Sequence, residues 1–261
     1  MKNLTFVLIS ITLTGCGAVY YVPNTQNVPV MKNKGQTNLY LGLNSSESVD
    51  GFELQGAYGL TDKIALQFNG DWVNSSESSS KGSGHILELG AGYYKNLSKD
   101  FVFETYGLMG FGGLKYEENI NFPQEIKANF FRIGLQPSFS FTSKYFIASL
   151  SGRLANLNYS NISGNLIADV DYINAYNSFW LAEPALTIQA GTENVKFQLQ
   201  LQYSYNLTYP DFIQDYTLVS LGLKVNLNPK KVKKTFPQSL RRNPFVRHVT
   251  ELSFIFNYFS Q

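Results

Sequence analysis

The chain has little charge and almost no cysteine. Of its 261 residues, 15% are charged, against an average near 25%. One Cys, two His, two Trp and three Met complete the scarce set. A single Cys excludes an internal disulfide and a thiolate metal cluster. No His pair stands at metal-ligand spacing, so neither a metal nor any other cofactor is expected. No apolar run reaches the roughly 18 residues that a membrane-crossing helix needs. What remains is aromatic and amide-rich: 20 Phe and 17 Tyr in a chain that is 44% hydrophobic. That balance excludes a disordered, collagenous or coiled-coil chain.

The period is two over most of the length. From Val195 to Asn206, Val, Phe, Leu, Leu, Tyr and Tyr alternate with Lys, Gln, Gln, Gln, Ser and Asn. This is the pattern of a strand with one apolar and one polar face. It recurs in ten segments, about 37–46, 50–60, 63–74, 85–96, 101–116, 127–142, 145–160, 179–193, 195–206 and 216–227. The fifth admits two registers: Phe101, Phe103, Met109 and Phe111 suggest one, Tyr106, Leu108 and Leu114 the other. Tight links (Thr61-Asp62, Ser143-Lys144, Glu193-Asn194) alternate with longer polar ones such as 74–84 and 158–178. Strands long enough to cross a bilayer, with short turns at one end and longer loops at the other, describe a transmembrane barrel. The expected fold is therefore all-β: an antiparallel up-and-down transmembrane β-barrel of about ten strands over 37–227, with an N-terminal tether and a basic C-terminal extension, 228–261. The rival is a periplasmic lipocalin-like binding barrel, with its apolar faces inward.

In the barrel reading the polar face lines a narrow lumen. Glu53, Asp71, Glu88, Arg132, Arg153, Glu183 and Lys224 fall on that face. Their charges should pair there, because a buried unpaired charge is costly. Arg132 and Arg153 are expected to meet Glu88, Glu183 or Glu53. Trp72, Tyr116, Trp180, Tyr205 and Tyr216 cluster near the long-loop ends and are expected at a bilayer interface, facing lipid.

The first 15 residues combine Lys2, a short apolar stretch and small residues, which is the layout of a secretory signal peptide. Leu13-Thr14-Gly15-Cys16 resembles the lipobox of bacterial lipoproteins. That resemblance implies a signal at 1–15, acylation (palmitate among the chains) of Cys16, and a lipidated tether over 16–36. Ser220 to Leu227 resembles the C-terminal targeting signal of outer-membrane barrels, though Val225 stands where an aromatic is common. Together these features resemble the small outer-membrane barrels of the porin-like and OmpA-like superfamily. They imply a place in the bacterial outer membrane, contact with membrane lipids, a periplasmic N-terminus, and tight turns on that same side.

Charge divides along the chain. Residues 228–261 carry a net +6 and residues 16–227 about −5. Lys230, Lys231, Lys233 and Lys234 suit envelope proteins or anionic envelope polymers; nucleic acid is not expected as a partner of an exported chain. For chemistry, His85 with Ser83 and Glu88 is the one trio resembling the Ser and His of outer-membrane lipid hydrolases, but parity sets His85 and Glu88 on opposite faces. The expected role is a non-enzymatic, structural or interaction role in the envelope. A narrow solute channel and a lipid-modifying enzyme are the alternatives.

Overall fold

The computed structural model describes residues 18–76, 80–119 and 122–227. The first 17 residues and 228–261 lie outside it, and with them Cys16 and the basic run Lys230 to Lys234. The described chain is a closed antiparallel β-barrel. Its strands are β1 (Thr37–Ser46), β2 (Asp50–Gly59), β3 (Ile64–Ser76), β4 (Ser80–Asn96), β5 (Phe101–Asn119), β6 (Pro123–Thr142), β7 (Phe146–Gly164), β8 (Ser178–Gly191), β9 (Val195–Tyr203), β10 (Tyr205–Asn206) and β11 (Thr217–Leu227). β9 and β10 are one stave interrupted at Ser204, since both pair with β8. That makes ten staves, each paired with its neighbour in sequence. The barrel closes where β11 pairs with both β9 and β1.

Alternation fixes which side faces out. On β1, Leu39, Leu41 and Leu43 are exposed (Leu43 by 70%), while Asn38, Tyr40 and Asn44 are buried. On β9, Val195, Phe197, Leu199 and Leu201 are exposed, and Lys196, Gln198, Gln200 and Gln202 are buried. A soluble barrel with its apolar rows inside would reverse this, so the lipocalin-like alternative is excluded. A belt of exposed Leu, Phe and Ile around a polar interior is the transmembrane arrangement. Each such side chain gains about 1.5–3 kcal/mol by leaving water.

Aromatic rings mark both ends of the belt. At the tight-turn end Phe101 packs on Phe139 and Phe141, each with ring centroids 5.4 Å apart. At the loop end Tyr203 packs on Tyr205 at 4.3 Å and on Tyr216 at 6.1 Å, and Phe52 stacks on Trp72 at 4.9 Å. Trp180, Tyr205 and Tyr216 are exposed on the outer face. Tyr116 is a correction: it pairs in register with Ile126, which is fully buried, so its ring belongs to the inner face. The even positions of β5 (Val102, Glu104, Tyr106, Leu108) all point inward.

β5 keeps one register throughout, with continuous pairing to β4 and β6. Phe101, Met109 and Phe111 face lipid, whereas Tyr106 and Leu108 face the lumen. Gly110 serves close approach rather than a bend: a Cβ there would meet Glu88 Cγ at 2.6 Å. Several staves overrun the expected segments at the loop end: β4 begins at Ser80 rather than 85, β6 at Pro123 rather than 127, and β7 ends at Gly164 rather than 160. The long loop between β7 and β8 contains a helix, α1 (Ile167–Ala175). Its Tyr172 stacks on Phe212 at 5.6 Å, and its Ile173 is fully buried.

The largest departure concerns the stretch expected as a tether. Tyr20, Tyr21 and every residue from Pro23 to Met31 are buried. They run through the lumen as a plug. The segment enters at the loop end, where Tyr20 N donates to Ile213 O at 3.2 Å and Asp215 N to Tyr21 O at 2.9 Å. It leaves at the tight-turn end, where Asn96 Nδ2 donates to Lys32 O and Lys32 Nζ to Thr142 Oγ1. β1 then starts at that end. Ala18 packs at the loop end, opposite the tight turns. The expected periplasmic placing of Cys16 falls outside the described residues; from Ala18 the chain traverses the whole lumen before its first strand begins.

Candidate functional site

The site is the lumen and the plug that fills it. An extended segment inside a barrel has no strand neighbour, yet its backbone groups still need partners. Side chains of the staves supply them. Gln200 holds Gln26 both ways: Gln26 N donates to Gln200 Oε1 at 2.8 Å and Gln200 Nε2 to Gln26 O at 2.9 Å. Gln136 Nε2 donates to Asn27 O at 2.7 Å, Lys224 Nζ to Val28 O at 2.6 Å, and Asn38 Nδ2 to Pro29 O at 2.5 Å. In return Asn27 Nδ2 donates to Gly56 O at 3.0 Å and Gln26 Nε2 to Glu183 O at 2.6 Å. The amide-rich inner face thus has a structural use: Gln and Asn present both a donor and an acceptor, as a stretch of backbone does.

The charged centre is built around the plug. Arg132 Nη2 lies 2.7 Å from Glu88 Oε1, Arg153 Nε 2.5 Å from Glu183 Oε2, and Arg153 Nη1 3.5 Å from Glu88 Oε2. All four side chains are buried. The plug completes their hydrogen bonding. Tyr21 OH donates to Glu183 Oε1 at 2.6 Å and accepts from Arg132 Nη1 at 3.0 Å. Asn24 Oδ1 accepts from Arg132 Nη2 at 2.5 Å, Asn24 O accepts from Arg153 Nη2 at 2.9 Å, and Asn24 Nδ2 donates to Glu88 Oε2 at 3.1 Å. Buried ion pairs offset their desolvation only when the remaining hydrogen-bonding positions are also filled; here Tyr21 and Asn24 fill them.

Glu53 and Asp71 stand apart from that centre. They pair directly in register across β2 and β3. Glu53 Oε1 accepts from Ser220 Oγ, which also contacts Tyr40 OH at 2.7 Å. Both oxygens of Asp71 accept from Asn44 Nδ2 at 3.0 Å. Tyr40 reaches this spot by lying across Gly42, where a Cβ would sit within 2.6 Å of the ring carbon Cζ.

Lys224 joins neither group. Besides holding Val28 O, it stands at the lower end of the plug with Glu104, a residue absent from the expected set. Glu104 accepts from Val30 N at 2.8 Å and Met31 N at 2.9 Å, and from Tyr106 OH at 3.0 Å. Val30 has φ +60°, a left-handed conformation that a β-branched residue rarely adopts. Two successive N–H groups converging on one carboxylate account for it. The sequence did carry a signal for the plug. Val102, Tyr106, Leu108 and Ile147 are apolar residues on the polar face, and they pack on Val28, Val30 and Met31.

Outside the lumen, Lys32 is held below the ordinary lysine range by burial at the tight-turn end. In the loop before β11, burial holds the Asp215 carboxyl above the usual carboxylate range, although Ser46 and Ser48 hydrogen-bond to it. His85 is exposed on the outer face and Glu88 is buried on the inner one, so the hydrolase trio does not assemble. Asp169 and Asp171 lie on α1, and no group of three metal-ligating side chains occurs among the described residues.

No protein-family model matches the sequence, and no curated protein matches it. Among solved structures, the chain is similar to the N-terminal β-barrel domain of Pseudomonas aeruginosa OprF, at 12% identity over 74% of this chain and 98% of that one, TM-score 0.37. It is also similar to the translocator domain of the autotransporter NalP from Neisseria meningitidis (11%, 74% and 86%, TM-score 0.42) and to the outer membrane protease OmpT from Escherichia coli (9%, 78% and 100%, TM-score 0.48). These are likenesses of barrel shape, without residue correspondence.

Proposed function

We propose that this chain is a bacterial outer-membrane β-barrel lipoprotein that neither conducts nor catalyses, and that acts in the envelope through the surface displayed at its loop end. The observation that carries this reading is the seated plug. A ten-stave lumen is narrow to begin with. Here its cross-section is occupied from Tyr20 to Met31, and the central charges Glu88, Arg132, Arg153 and Glu183 are engaged by Tyr21 and Asn24. The wide aromatic cap of Tyr20, Tyr172, Phe179 and Phe212 gives the loop end a rigid platform, and rigid platforms under loops are where binding surfaces are built. Acylation at Cys16 supplies the lipid anchor.

Planar-bilayer recording tests the closed lumen. Wild-type protein is expected to be silent, and a variant lacking residues 18–31 to show discrete conductance steps. Steps from the wild type would overturn the reading. Location and anchoring are tested by membrane fractionation with heat-modifiable gel mobility, and by loss of palmitate incorporation in Cys16→Ala.

A further inference from the structure

A cavity of about 100 Å³ lies at the loop end between the plug and staves β3 to β6. Tyr20, Tyr21 and Val22 of the plug form one wall, and Val73, Leu114 and Phe130 face them. Among the described residues, Asp71 is the one carboxylate that lines it. Asp71 and its register partner Glu53 are both buried, and among the described residues neither has a cationic group within 4 Å. The neighbouring carboxylates Glu88 and Glu183 are in contact with Arg132 and Arg153; Asp71 feels the same guanidinium groups only at longer range.

A buried carboxyl with no cation in contact is costly to ionise, and a cation bound beside it would offset that cost. The walls decide which kind. A hard metal ion wants about six oxygens, several of them charged, whereas this cavity has one carboxylate, its other polar lining being Asn24, His85, Lys115, Ser48, Ser75, Ser80 and Ser83 among rings and aliphatic groups. Aromatic faces and a single carboxylate suit an organic ammonium. An apolar cavity near 150 Å³ takes benzene, so this smaller one has room for a ligand of roughly four heavy atoms. The mouth does not repel a cation: Lys115, which lines it, is engaged by Glu117 and by Glu125 at 3.5 Å.

We propose that the loop-end cavity binds a small alkylammonium ion, its nitrogen on the Asp71 carboxylate and its alkyl body between the plug and the side chains of Val73 and Leu114. The site rests on the plugged-lumen reading, because the plug is one of its walls.

The test uses the full chain refolded in detergent micelles, titrated calorimetrically with propylammonium chloride, with propionamide as the neutral isostere and with sodium chloride at equal ionic strength. Propylammonium should bind at least tenfold more tightly than propionamide, and sodium should not displace it. Asp71→Asn should reduce propylammonium affinity at least tenfold, to the level of propionamide. Gly84→Leu should abolish binding of both: Gly84 lines the cavity, and a Cβ there has only Val73 Cγ2 (3.1 Å) and Gly113 O (3.7 Å) within 4 Å, so a side chain fills the space while leaving Asp71 intact. Equal affinity for the amide, undiminished binding by either variant, or displacement by sodium overturns the proposal. Conductance of the same preparation separates the two readings. A silent wild type that binds no propylammonium sinks the cavity alone; a conducting wild type that still binds it sinks the closed lumen alone.

Discussion

Removing one oxygen atom from the plug should loosen its grip measurably. Tyr21→Phe deletes the hydroxyl that donates to Glu183 at 2.6 Å and accepts from Arg132 at 3.0 Å. Hydrogen bonds to charged partners contribute about 1.5–3 kcal/mol each. The loss is partly offset because Glu183 retains Arg153 and Ser204, and Arg132 retains Glu88 and Asn24. The expected destabilisation is therefore about 2–4 kcal/mol. Reversible urea unfolding in lipid vesicles measures it, with Tyr145→Phe as the control because Tyr145 is exposed and should shift stability by less than about 0.5 kcal/mol. The same variant in a planar bilayer should flicker between closed and open levels as the plug's upper half detaches. A loss below about 1 kcal/mol together with a silent bilayer would refute the claim that Tyr21 wires the plug into the charged centre.

Other consequences are equally direct. Glu104→Gln replaces the carboxylate that receives Val30 N and Met31 N; it should cost about 2–3 kcal/mol and accelerate hydrogen exchange at those two amides, so unchanged exchange rates would count against the clamp. Asp215 has a folded-state pKa raised by burial, so the folded state binds its proton more tightly than the unfolded chain does. Its contribution is favourable at low pH and is lost as pH rises from the unfolded value near 4 through the raised folded one; stability of Asp215→Asn measured against pH should be flatter than wild type across that window. Trp180 is 46% exposed on the outer face and should be quenched by brominated lipid, whereas a tryptophan placed at Phe179, which is buried, should not be.

The barrel was readable because its rule is local. A strand with lipid on one side and polar groups on the other must alternate, and Val195 to Asn206 does so without a break. Turn residues at 61–62, 143–144 and 193–194 then fix how the staves connect. The charged centre was half readable, since parity alone assigns Glu88, Arg132, Arg153 and Glu183 to one face. The plug obeys no such rule. Between Tyr20 and Met31 every side chain but the half-buried Val22 is enclosed, so there is no exposed face to create a period, and Asn24, Gln26 and Asn27 look like loop residues although their partners are the inward Gln and Arg. Tyr116 was misplaced for a related reason: near a strand end, an aromatic on the inner face under a capped lumen looks the same in sequence as one at a lipid interface. The two registers of β5 were the visible trace of the plug. Tyr106 and Leu108 are inward because Met31, not water, lies across from them.

The direction of the plug also constrains how the molecule can be assembled. Residues 20–31 are bonded to side chains or backbone of β1, β2, β4, β5, β6, β7, β8, β9 and β11. The seam between β11 and β1 must zip with this strip of chain already inside, or else the strip must enter the closed barrel afterwards. Because the strip leads through the short turn at 33–35 directly into β1, wrapping demands no threading.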